Sequence, residues 1–450
     1  MKKQFQPSSL SSPDFIPQPS SSDSGLPPQP SSFTPPPSAL SSPSPIPYGR
    51  QTIDEQDIQA VVGVLRGDWL TGGPAVTQFE DVVREYIGVK HAIAVSNGTA
   101  ALHLCCMALG VQSGDVGVTS PLTFLASANC IAYCGGRPDF VDIDPDTYCL
   151  SPEKLEEYIQ TNGVPRVVIP VDFAGVPADL PRIYEMAKRY GFSVIEDAAH
   201  SIGTTYFHEG KSIRCGACVH SDLAIFSFHP VKTVTAGEGG MVLTNDDALA
   251  HRVRMLASHG MERDLSVFEP WAIQSGDGSL LDGAEVAEKS DEKAPWLYQQ
   301  QALGYNYRIT DIQCALGTSQ FQRLDGTIKR RREIVDCYQA AFKKNDALIC
   351  PPCMKDAAPA YHLYVLRFKK KAESVRMVAC ETLRENGIFA QVHYIPVYLQ
   401  PWYQRHYGYV RGMCPEAEAV YENCLSIPLY PSMTEEEIQK VIQVMENLTA

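Results

Sequence analysis

The stretch FSFHPVKTVTAGEGGMVLTND, residues 226–246, places one charged amine, Lys232, between an apolar run and a glycine cluster. Ser227 stands before the lysine, on the strand that is predicted to deliver it. The glycines of GEGG permit tight turns or the close approach of a ligand. Lys232 is therefore either a surface cation at a strand end or a group that does chemistry.

Apolar segments that are typical of strands surround this stretch: HAIAVSN, GVTSP, PDFVDID, RVVIPVDF, FSVIEDA, DLAIFSF and GMVLTN. Helical patterns such as TAALHLCCMALG and ADLPRIYEMAKRYG lie between several of them. Strands that alternate with helices indicate parallel crossover connections. We therefore expect an α/β fold with a mostly parallel sheet, buried on both faces, over about residues 90–245.

The composition changes along the rest of the chain. Residues 1–45 hold 14 Ser and 12 Pro, so we expect a disordered tail there. A large domain is predicted over residues 46–329, with a glycine-rich, acidic loop insertion at about 264–294. A long helical pattern over residues 310–344 leads into a smaller C-terminal α+β domain, predicted over 330–450.

The formal net charge of −14 argues against a nucleic-acid partner, because a phosphate backbone is bound by a concentrated basic footprint. No apolar run reaches the roughly 18 residues that a membrane helix needs. We therefore expect no membrane association and a cytoplasmic location.

The 14 cysteines are predicted to be free thiols in a reducing compartment, since no secretory segment is recognisable. Cys215 and Cys218, together with Cys350 and Cys353, would make a four-cysteine zinc site if the fold joined them. Zinc ribbons usually space their pairs by about 15 to 20 residues, whereas these pairs lie much farther apart. We expect no metal.

Polar residues follow two predicted strands at the edge of the sheet where ligands of parallel α/β folds bind. In AVSNGTAALHL, Asn97, Gly98 and Thr99 present N–H groups at a helix N-terminus, which suits a phosphate. An ordinary helix cap has the same pattern. In SVIEDAAHS, Asp197 ends a strand and His200 follows, although an acid at a strand end is usually solvated.

Phe124, in TSPLTFLASAN, follows another strand end and by itself is typical of core packing. Taken together, an anion site, an aromatic face, a strand-end carboxylate and a later lysine are the parts that hold pyridoxal phosphate. An amine serves there because it forms an imine with the aldehyde and afterwards acts as an acid and base. The pattern predicts that Lys232 is a catalytic amine.

Six collinear motifs resemble the DegT family of sugar aminotransferases over roughly residues 46–445: SNGTAALHL, TFLASAN, VDIDPDTY, VIEDAAHS, FSFHPVKTVTAGEGGMVLTND and LGYNYRITDIQCALG. The resemblance implies the type I fold of pyridoxal-phosphate-dependent transferases. It also implies that Lys232 forms the Schiff base with the cofactor and that Asp197 pairs with the pyridinium nitrogen.

The resemblance implies further cofactor contacts by matching position. These are Gly98, Thr99 and Ser227 at the phosphate, Phe124 stacked on the ring, His200 near the ring and its phenolic oxygen, and Asn306 reaching the phosphate from a neighbouring subunit. A homodimer with shared active sites is therefore implied as well.

The segments IPYGRQTI, GDWLTGGP and HYIPVYLQPWY resemble the subfamily of UDP-4-amino-4,6-dideoxy-N-acetyl-β-L-altrosamine transaminases of pseudaminic acid synthesis. That likeness implies amino transfer from L-glutamate to C4 of a UDP-linked 2-acetamido-2,6-dideoxy-hexulose. It also implies that four side chains line the sugar-nucleotide cleft: Tyr48, Arg50, Trp69 and His393. Each also fits a plainer interpretation, as a packed aromatic, a solvated cation or a buried ring.

Two positions depart from the pattern of these relatives. Gly73 stands where Gln is common, and Tyr398 stands where His is frequent. Both would touch the sugar nucleotide, so the acceptor could be another 4-keto or 3-keto nucleotide sugar.

Two other classes of function fit the sequence less well. A related sugar dehydratase carries histidine in place of the lysine, and Lys232 argues against it. A non-catalytic regulatory protein of the same fold is disfavoured because every cofactor position is retained, although fold by itself never proves activity.

Overall fold

The computed structural model describes residues 45–268, 272–274, 280–282, 297–369 and 373–449. The helices of these residues are α1 (Glu55–Leu65), α2 (Pro74–Ile87), α3 (Gly98–Ala108), α4 (Ala126–Tyr133), α5 (Pro152–Asn162), α6 (Leu180–Tyr190), α7 (Asp247–Ala257), α8 (Asp311–Gln322), α9 (Leu324–Phe342), α10 (Glu373–Glu385), α11 (Pro401–Tyr407), α12 (Pro415–Asn423) and α13 (Glu435–Thr449).

The strands of the same residues are β1 (His91–Val95), β2 (Val116–Thr119), β3 (Arg137–Phe140), β4 (Val167–Ile169), β5 (Ser193–Asp197), β6 (Thr205–His208), β7 (Lys211–Arg214), β8 (Leu223–Ser227), β9 (Gly240–Thr244), β10 (Met261–Glu262), β11 (Ala272–Gln274), β12 (Leu280–Asp282), β13 (Gln299–Gln300), β14 (Leu348–Ile349), β15 (Ala357–Ala358), β16 (Tyr364–Phe368) and β17 (Cys424–Ile427).

The central sheet has seven strands in the order β1-β9-β8-β5-β4-β2-β3. The pairings β2–β3, β2–β4, β4–β5 and β5–β8 are parallel. Strand β9 runs antiparallel to both β1 and β8. The predicted α/β architecture with a mostly parallel sheet is confirmed.

The sheet is buried on both faces, as its apolar strands require. Successive side chains of a strand point to opposite faces, and β4 shows the consequence. Val167 and Ile169 pack in the cluster that contains α3 and α7, while Val168 packs with residues of α5 and α6. All three side chains are fully buried, so β4 lies in the middle of a three-layer α/β/α body.

The predicted long helix over residues 310–344 is two helices that meet at Arg323. The break lets the Arg323 guanidinium turn towards the N-terminal helix α1, where it forms ion pairs with Asp54 and with the fully buried Asp57. It also donates a 3.0 Å hydrogen bond to the carbonyl of Thr52. The helical period alone does not reveal this break, because the residues that Arg323 contacts are distant from it in sequence.

Several short strands are absent from the sequence-based prediction. The hairpin β6–β7 follows the central β5, and the antiparallel pair β11–β12 lies within the predicted loop insertion. A three-stranded sheet, β14-β16-β17, occupies the C-terminal region. Strands of two to five residues give too few periods to be recognised from alternation.

Three predictions about organisation remain predictions: the tail, the insertion and the division into domains. The proposed tail falls almost entirely outside the described residues, as does much of the proposed insertion, and the domain division near residue 330 stays a prediction. Within the parts of the chain described above, no helix is long and apolar enough to cross a membrane.

Candidate functional site

A cavity of about 710 Å³ opens where β5 and β8 end and where α3 begins. Nine of the residues singled out from the sequence line it: Tyr48, Gly98, Thr99, Phe124, Asp197, His200, Ser227, Lys232 and His393. The strand ends bring them together because β1, β5 and β8 all point the same way, with β9 reversed between β1 and β8.

Lys232 lies in the irregular segment between β8 and β9, where its N–H donates to the carbonyl of His229 at 2.9 Å. Burial lowers the pKa of the Lys232 amine to about 8, and the negative charge of Asp197 opposes that shift. The amine therefore titrates far closer to neutrality than a surface lysine does. That property suits a nucleophile and proton carrier.

Asp197 is the last residue of β5 and is held from both sides. Its backbone N–H donates to Pro170 at 2.9 Å, and its carbonyl accepts from the N–H of Asp172 at 3.1 Å. Its carboxylate accepts a 2.6 Å hydrogen bond from the Ser127 hydroxyl and a 3.2 Å hydrogen bond from the N–H of Ala199.

The charge of this carboxylate is set by opposing effects. Burial raises the pKa of Asp197, and the hydrogen bonds from Ser127 and Ala199 together with the Lys232 cation act against that rise. The donors therefore support the ionised form that an interaction with a protonated ring nitrogen requires.

The start of α3 and the end of β8 form a close-fitting cradle. The first N–H groups of a helix have no partner within the helix. The Asn97 side chain accepts from the N–H of Ala100 at 2.8 Å, which leaves the N–H groups of Gly98 and Thr99 for an anion. A Cβ on Gly98 would lie 3.0 Å from Cβ and 3.2 Å from Oγ of Ser227.

His200 is buried among aromatic rings at the side of the cavity. Its Nδ1 accepts from the N–H of Ala174 at 3.3 Å, and its Nε2 lies 3.4 Å from the hydroxyl of Tyr394. Burial, followed by the nearby Lys232 cation, holds the pKa of His200 well below its ordinary value. The imidazole is therefore neutral at physiological pH.

Phe124 has an exposed side chain, 59% accessible, although it lines the cavity. The plainer interpretation of core packing is therefore wrong for this residue. An aromatic ring left uncovered in a cavity offers a face for a planar ligand.

Tyr48 and His393 lie together at another part of the wall, with ring centroids 5.3 Å apart. The Nδ1 of His393 is 2.8 Å from the hydroxyl of Ser426. Burial, with a further contribution from the Lys232 cation, lowers the pKa of His393 to about 3. His393 thus presents a neutral imidazole next to an aromatic ring.

Three other predicted residues do not line this cavity. Trp69 borders a separate cavity of about 710 Å³ next to α1, α2 and α8, Arg50 is exposed outside the wall, and Asn306 forms a backbone bridge with Ser258. The resemblance implies that Asn306 reaches the cofactor phosphate of a neighbouring subunit. That role stays a prediction, because the structure holds a single chain.

Neither of the two residues that depart from the relatives, Gly73 and Tyr398, lines the cavity, and their contact with the sugar nucleotide stays a prediction. Gly73 is required by packing, because a Cβ there would lie 2.4 Å from Cβ of Trp69 and 2.7 Å from Oδ1 of Asp311. The buried Tyr398 donates its hydroxyl proton to Glu418.

The four cysteines considered for zinc are not brought together. Cys215 instead lies with Asp172 and Glu196, and this trio is the one group of three or more possible ligands among the described residues. Asp172 accepts from Ser201 at 2.6 Å and Glu196 accepts from the N–H of Gly216 at 2.9 Å. Protein donors thus already occupy these carboxylates.

Among the lining residues that were not singled out from the sequence, Ser127, Thr123 and Tyr394 carry hydroxyl groups close to the site residues described above. Ser127 and Thr123 face each other with their hydroxyl oxygens 2.7 Å apart. Their spacing of four residues in the stretch TFLAS is the signal that would have found them, because it places both hydroxyls on one side of a helical turn.

Residues 51–446 match the DegT/DnrJ/EryC1/StrS aminotransferase family. The chain belongs to this family. It is accordingly a pyridoxal-phosphate-dependent sugar aminotransferase with the type I fold.

Relatives in the family extend over nearly the whole chain. The spore coat polysaccharide biosynthesis protein SpsC of Bacillus subtilis is 38% identical over 405 residues, which cover 90% of this chain and 97% of SpsC. PseC of Helicobacter pylori, an aminotransferase involved in pseudaminic acid biosynthesis, is 27% identical, with a TM-score of 0.78 over 90% of this chain and 99% of PseC.

A third relative is Spr1654 of Streptococcus pneumoniae in its pyridoxal-phosphate form. It is 26% identical and has a TM-score of 0.76 over 90% of this chain and 98% of that protein. The cavity of this aminotransferase fits the cofactor, because it combines an amine, a buried carboxylate, an uncovered aromatic face and a helix-end cradle too tight for a side chain at Gly98.

Proposed function

We propose that this aminotransferase moves the amino group of L-glutamate to the C4 keto group of a UDP-linked 2-acetamido-2,6-dideoxy-hexulose. The product is a nucleotide sugar of the pseudaminic acid type. The observation that carries the proposal is the likeness to PseC over nearly the full length of both chains. The likeness of IPYGRQTI and HYIPVYLQPWY to that subfamily supports it further.

The cofactor would be held by residues of the cavity described above. Lys232 supplies the amine, Asp197 the partner of the ring nitrogen, and Phe124 the aromatic face. Gly98, Thr99 and Ser227 would hold the phosphate with backbone N–H groups and hydroxyls at the positive end of α3. When bound, pyridoxal phosphate supplies a conjugated ring that delocalises the electron pair left when Cα of the donor loses its proton.

Lys232 would move the proton of the amino donor. With the cofactor bound, the Lys232 Nζ would take the proton from Cα of glutamate, because a group with a pKa near 8 exchanges protons readily around neutrality. Asp197, whose carboxylate is supported by hydrogen bonds from Ser127 and Ala199, would pair with the ring nitrogen. Neutral His200 adds no competing positive charge near that nitrogen.

The sugar nucleotide would enter past Tyr48 and His393, which line the cavity beside the lysine. A protein with a net charge of −14 must bind a diphosphate through local cations or N–H groups. We assign this role first to Arg50, which is exposed and follows the cavity residue Tyr48 by two positions.

We also propose that the enzyme works as a homodimer with shared active sites, in which Asn306 reaches the partner's cofactor phosphate. Large apolar side chains near Asn306 are uncovered in the single chain: Leu303 is 80% exposed and Tyr305 is 40% exposed. Exposed apolar surface of this kind is typical of an interface.

The test is an amino-transfer assay with L-glutamate and matched UDP- and dTDP-linked 4-keto sugars. We expect the highest kcat/KM for the UDP-linked 2-acetamido sugar. Asp197→Asn should lower turnover about 100-fold or more, because an amide does not hold the ring nitrogen's proton as a carboxylate does. A higher kcat/KM for a dTDP sugar or a 3-keto sugar would contradict the proposed acceptor while leaving the aminotransferase class intact.

A second acceptor has a specific observation in its favour. SpsC is 38% identical to this chain, whereas PseC is 27% identical, and SpsC belongs to spore coat polysaccharide biosynthesis. The alternative is therefore amino transfer to another 4-keto or 3-keto nucleotide sugar that supplies a polysaccharide. The same panel of substrates distinguishes the two acceptors.

A further inference from the structure

A second histidine, His362, packs directly against the cavity residue His200. The two ring centroids lie 4.4 Å apart, with an angle of 40° between the ring planes. His362 lies in the segment between β15 and β16 and is buried. It does not line the cavity itself. Its ring therefore reaches the site through His200 rather than by direct contact.

The backbone of Ala174 connects the same two histidines. Its N–H donates to Nδ1 of His200 at 3.3 Å, and its carbonyl accepts from the N–H of His362 at 2.9 Å. Because a ring nitrogen that accepts a hydrogen bond carries no hydrogen, the neutral His200 has its hydrogen on Nε2. The Nε2 atom lies 3.4 Å from the hydroxyl of Tyr394. The Ala174 peptide thus selects one tautomer of His200, and the His362 backbone holds that peptide.

The segment that carries His362 is itself held in place. Arg331, a buried residue of α9, donates from Nη1 to the carbonyls of Tyr361 and His362, each at 3.3 Å. On the other side, Gly175 has a φ of 94°, and a Cβ there would lie 3.0 Å from the backbone nitrogen of His362 and from the carbonyl oxygen of His200. A glycine is therefore needed for the two segments to come this close.

We propose that His362 is a positioning residue for the amino-transfer reaction. Its ring, stacked on His200, keeps the His200 imidazole in the orientation in which Nδ1 accepts from Ala174 and the hydrogen stays on Nε2. Because the His362 ring covers one face of the imidazole, rotation of His200 about its side-chain bonds meets that ring. Aromatic pairs at such spacings also attract each other in defined orientations.

The stack depends on the planar ring of His362 rather than on its polar atoms. The Nδ1 of His362 is buried and has no hydrogen-bond partner among the described residues, and an unpaired buried nitrogen is unfavourable. Burial, followed by the positive charge of Lys232, holds the pKa of His362 well below its ordinary value. Both histidines are therefore neutral and stack without charge repulsion. A phenylalanine ring would serve in the same place.

The consequence for turnover rests on the proposed function, in which His200 lies beside the bound cofactor. A neutral imidazole with its hydrogen on Nε2 donates a hydrogen bond from that nitrogen and adds no charge. An imidazole free to rotate would present an acceptor there for part of the time. The tautomer of His200 does not depend on that function, because it follows from the contacts of Ala174 and His362.

The first measurement is the tautomer of His200 in the full-length holoenzyme. The protein is labelled with ¹⁵N-histidine, and the His200 signals are assigned by their absence from the spectrum of His200→Gln. Long-range correlations between the ring hydrogens and the ring nitrogens distinguish a hydrogen on Nε2 from one on Nδ1. We expect the Nε2–H form. Finding the Nδ1–H form would overturn the proposal.

Two substitutions separate the ring of His362 from its polar atoms. His362→Asn keeps an amide near the position of Nδ1 but removes the ring, so the His200 signals should become an average of the two tautomers. We expect kcat to fall about tenfold or more, with little change in KM for the amino donor, because a loosely held group beside the reacting atoms costs catalysis. His362→Phe keeps a ring and should retain the Nε2–H form and most of kcat.

Gly175→Ala tests the same contact from the other side. Both histidines remain, but the added methyl group would push the His362 backbone away, so the His200 signals should resemble those of His362→Asn. His208→Asn is the matched control. His208 also packs on a histidine, His220, with ring centroids 4.9 Å apart, and neither of these residues lines the cavity. This control should leave kcat and the His200 signals unchanged.

The Tm of each variant is measured alongside. A folded His362→Asn protein with wild-type His200 signals would overturn the proposal, and so would a His362→Phe enzyme as slow as His362→Asn. A lowered Tm with unchanged signals and unchanged kcat would show a purely structural role and would overturn it as well.

The turnover assays use whichever keto sugar of the panel reacts best, so failure of the proposed acceptor does not affect this test. An enzyme that is inactive on every keto sugar, yet shows the expected tautomers in the wild type and the variants, would contradict the proposed function. The positioning of His200 by His362 would stand in that case.

Discussion

The hydroxyl oxygen of Ser127 lies 2.6 Å from Oδ2 of Asp197, and both side chains are buried. Ser127 therefore contributes to the charge state of Asp197 without having to touch a substrate. Ser127→Ala should raise the pKa of Asp197 further, because a buried carboxylate loses a donor. We expect about a tenfold fall in kcat with little change in KM, and partial recovery with Ser127→Thr.

Ser120 provides the matched control for this prediction. Its hydroxyl is buried and, within the described residues, has no hydrogen-bond partner, so Ser120→Ala should leave kcat unchanged. A Ser127→Ala enzyme with the kcat and pH profile of the wild type would show that the hydrogen bond has no influence on the carboxylate.

Lys232 should be the amine that is covalently attached to the cofactor. Borohydride reduction of the holoenzyme followed by peptide mapping should label Lys232 alone, because it is the lysine that lines the cavity. Lys232→Ala should abolish turnover. Modification of a different lysine would refute the assignment.

The pH dependence of Lys232 follows from its lowered pKa. In the cofactor-free protein, labelling of Lys232 by an amine reagent should accelerate as pH rises and level off above about pH 8, because only the neutral amine reacts. An ordinary lysine would continue to accelerate towards pH 10. Quantitative peptide mapping from pH 6 to 10 measures the midpoint of the labelling rate against pH. A midpoint near pH 10 would contradict the lowered pKa of Lys232.

The cradle at the start of α3 should be sensitive to a single methyl group. Gly98→Ala places a Cβ 3.0 Å from Cβ of Ser227, so we expect weaker binding of pyridoxal phosphate with the fold retained. Gly63→Ala is the control, because nothing lies within 4 Å of the added Cβ and alanine favours the helix by roughly 0.5 to 1 kcal/mol. Equal cofactor affinity in both variants, measured by absorbance titration, would argue against the cradle.

The N-terminal boundary can be mapped by truncation. Deleting residues 1–45 should leave activity and Tm nearly unchanged, because so Ser- and Pro-rich a segment has little apolar surface to bury. Extending the deletion through Tyr48 should lower both. Ile46 is buried and exchanges backbone hydrogen bonds with Gly387 and Phe389, and Tyr48 lines the cavity.

Thermal melts and turnover assays on both truncations check this prediction. A large loss on removing residues 1–45 alone would show that the Ser/Pro-rich segment stabilises the body or supports catalysis.

The positions of Lys232 and Asp197 could be predicted from sequence because Asp197 ends one recognisable apolar strand and Lys232 follows another. The carboxyl ends of parallel strands lie at the same edge of a sheet. The partnership of Asp197 with Ser127 could not be predicted in the same way. It depends on how α4 crosses the sheet, which no local pattern specifies. Tyr394 likewise reaches His200 from a C-terminal segment whose path depends on tertiary packing.

The interpretation of Phe124 from its residue type failed in a physically informative way. Phe124 is an apolar residue typical of core packing but lies uncovered in the cavity, whereas Tyr398, with its polar hydroxyl, is buried against Glu418. Hydrophobicity predicts the average environment of a residue type. It does not identify the cavity where a ligand will complete the packing.

Helices α1 and α2 depend on α8 and on Arg323, the residue that follows it. Asp311 accepts hydrogen bonds from the N–H groups of Gly73 and Ala75 at the start of α2, across 238 and 236 positions of sequence. Arg323 neutralises the buried Asp57 of α1. On the ribosome, therefore, α1 and α2 wait for partners made more than 200 codons later. A chain terminated before Asp311 would leave the start of α2 uncapped and the Asp57 carboxylate of α1 without its arginine, and both helices would be exposed to proteases.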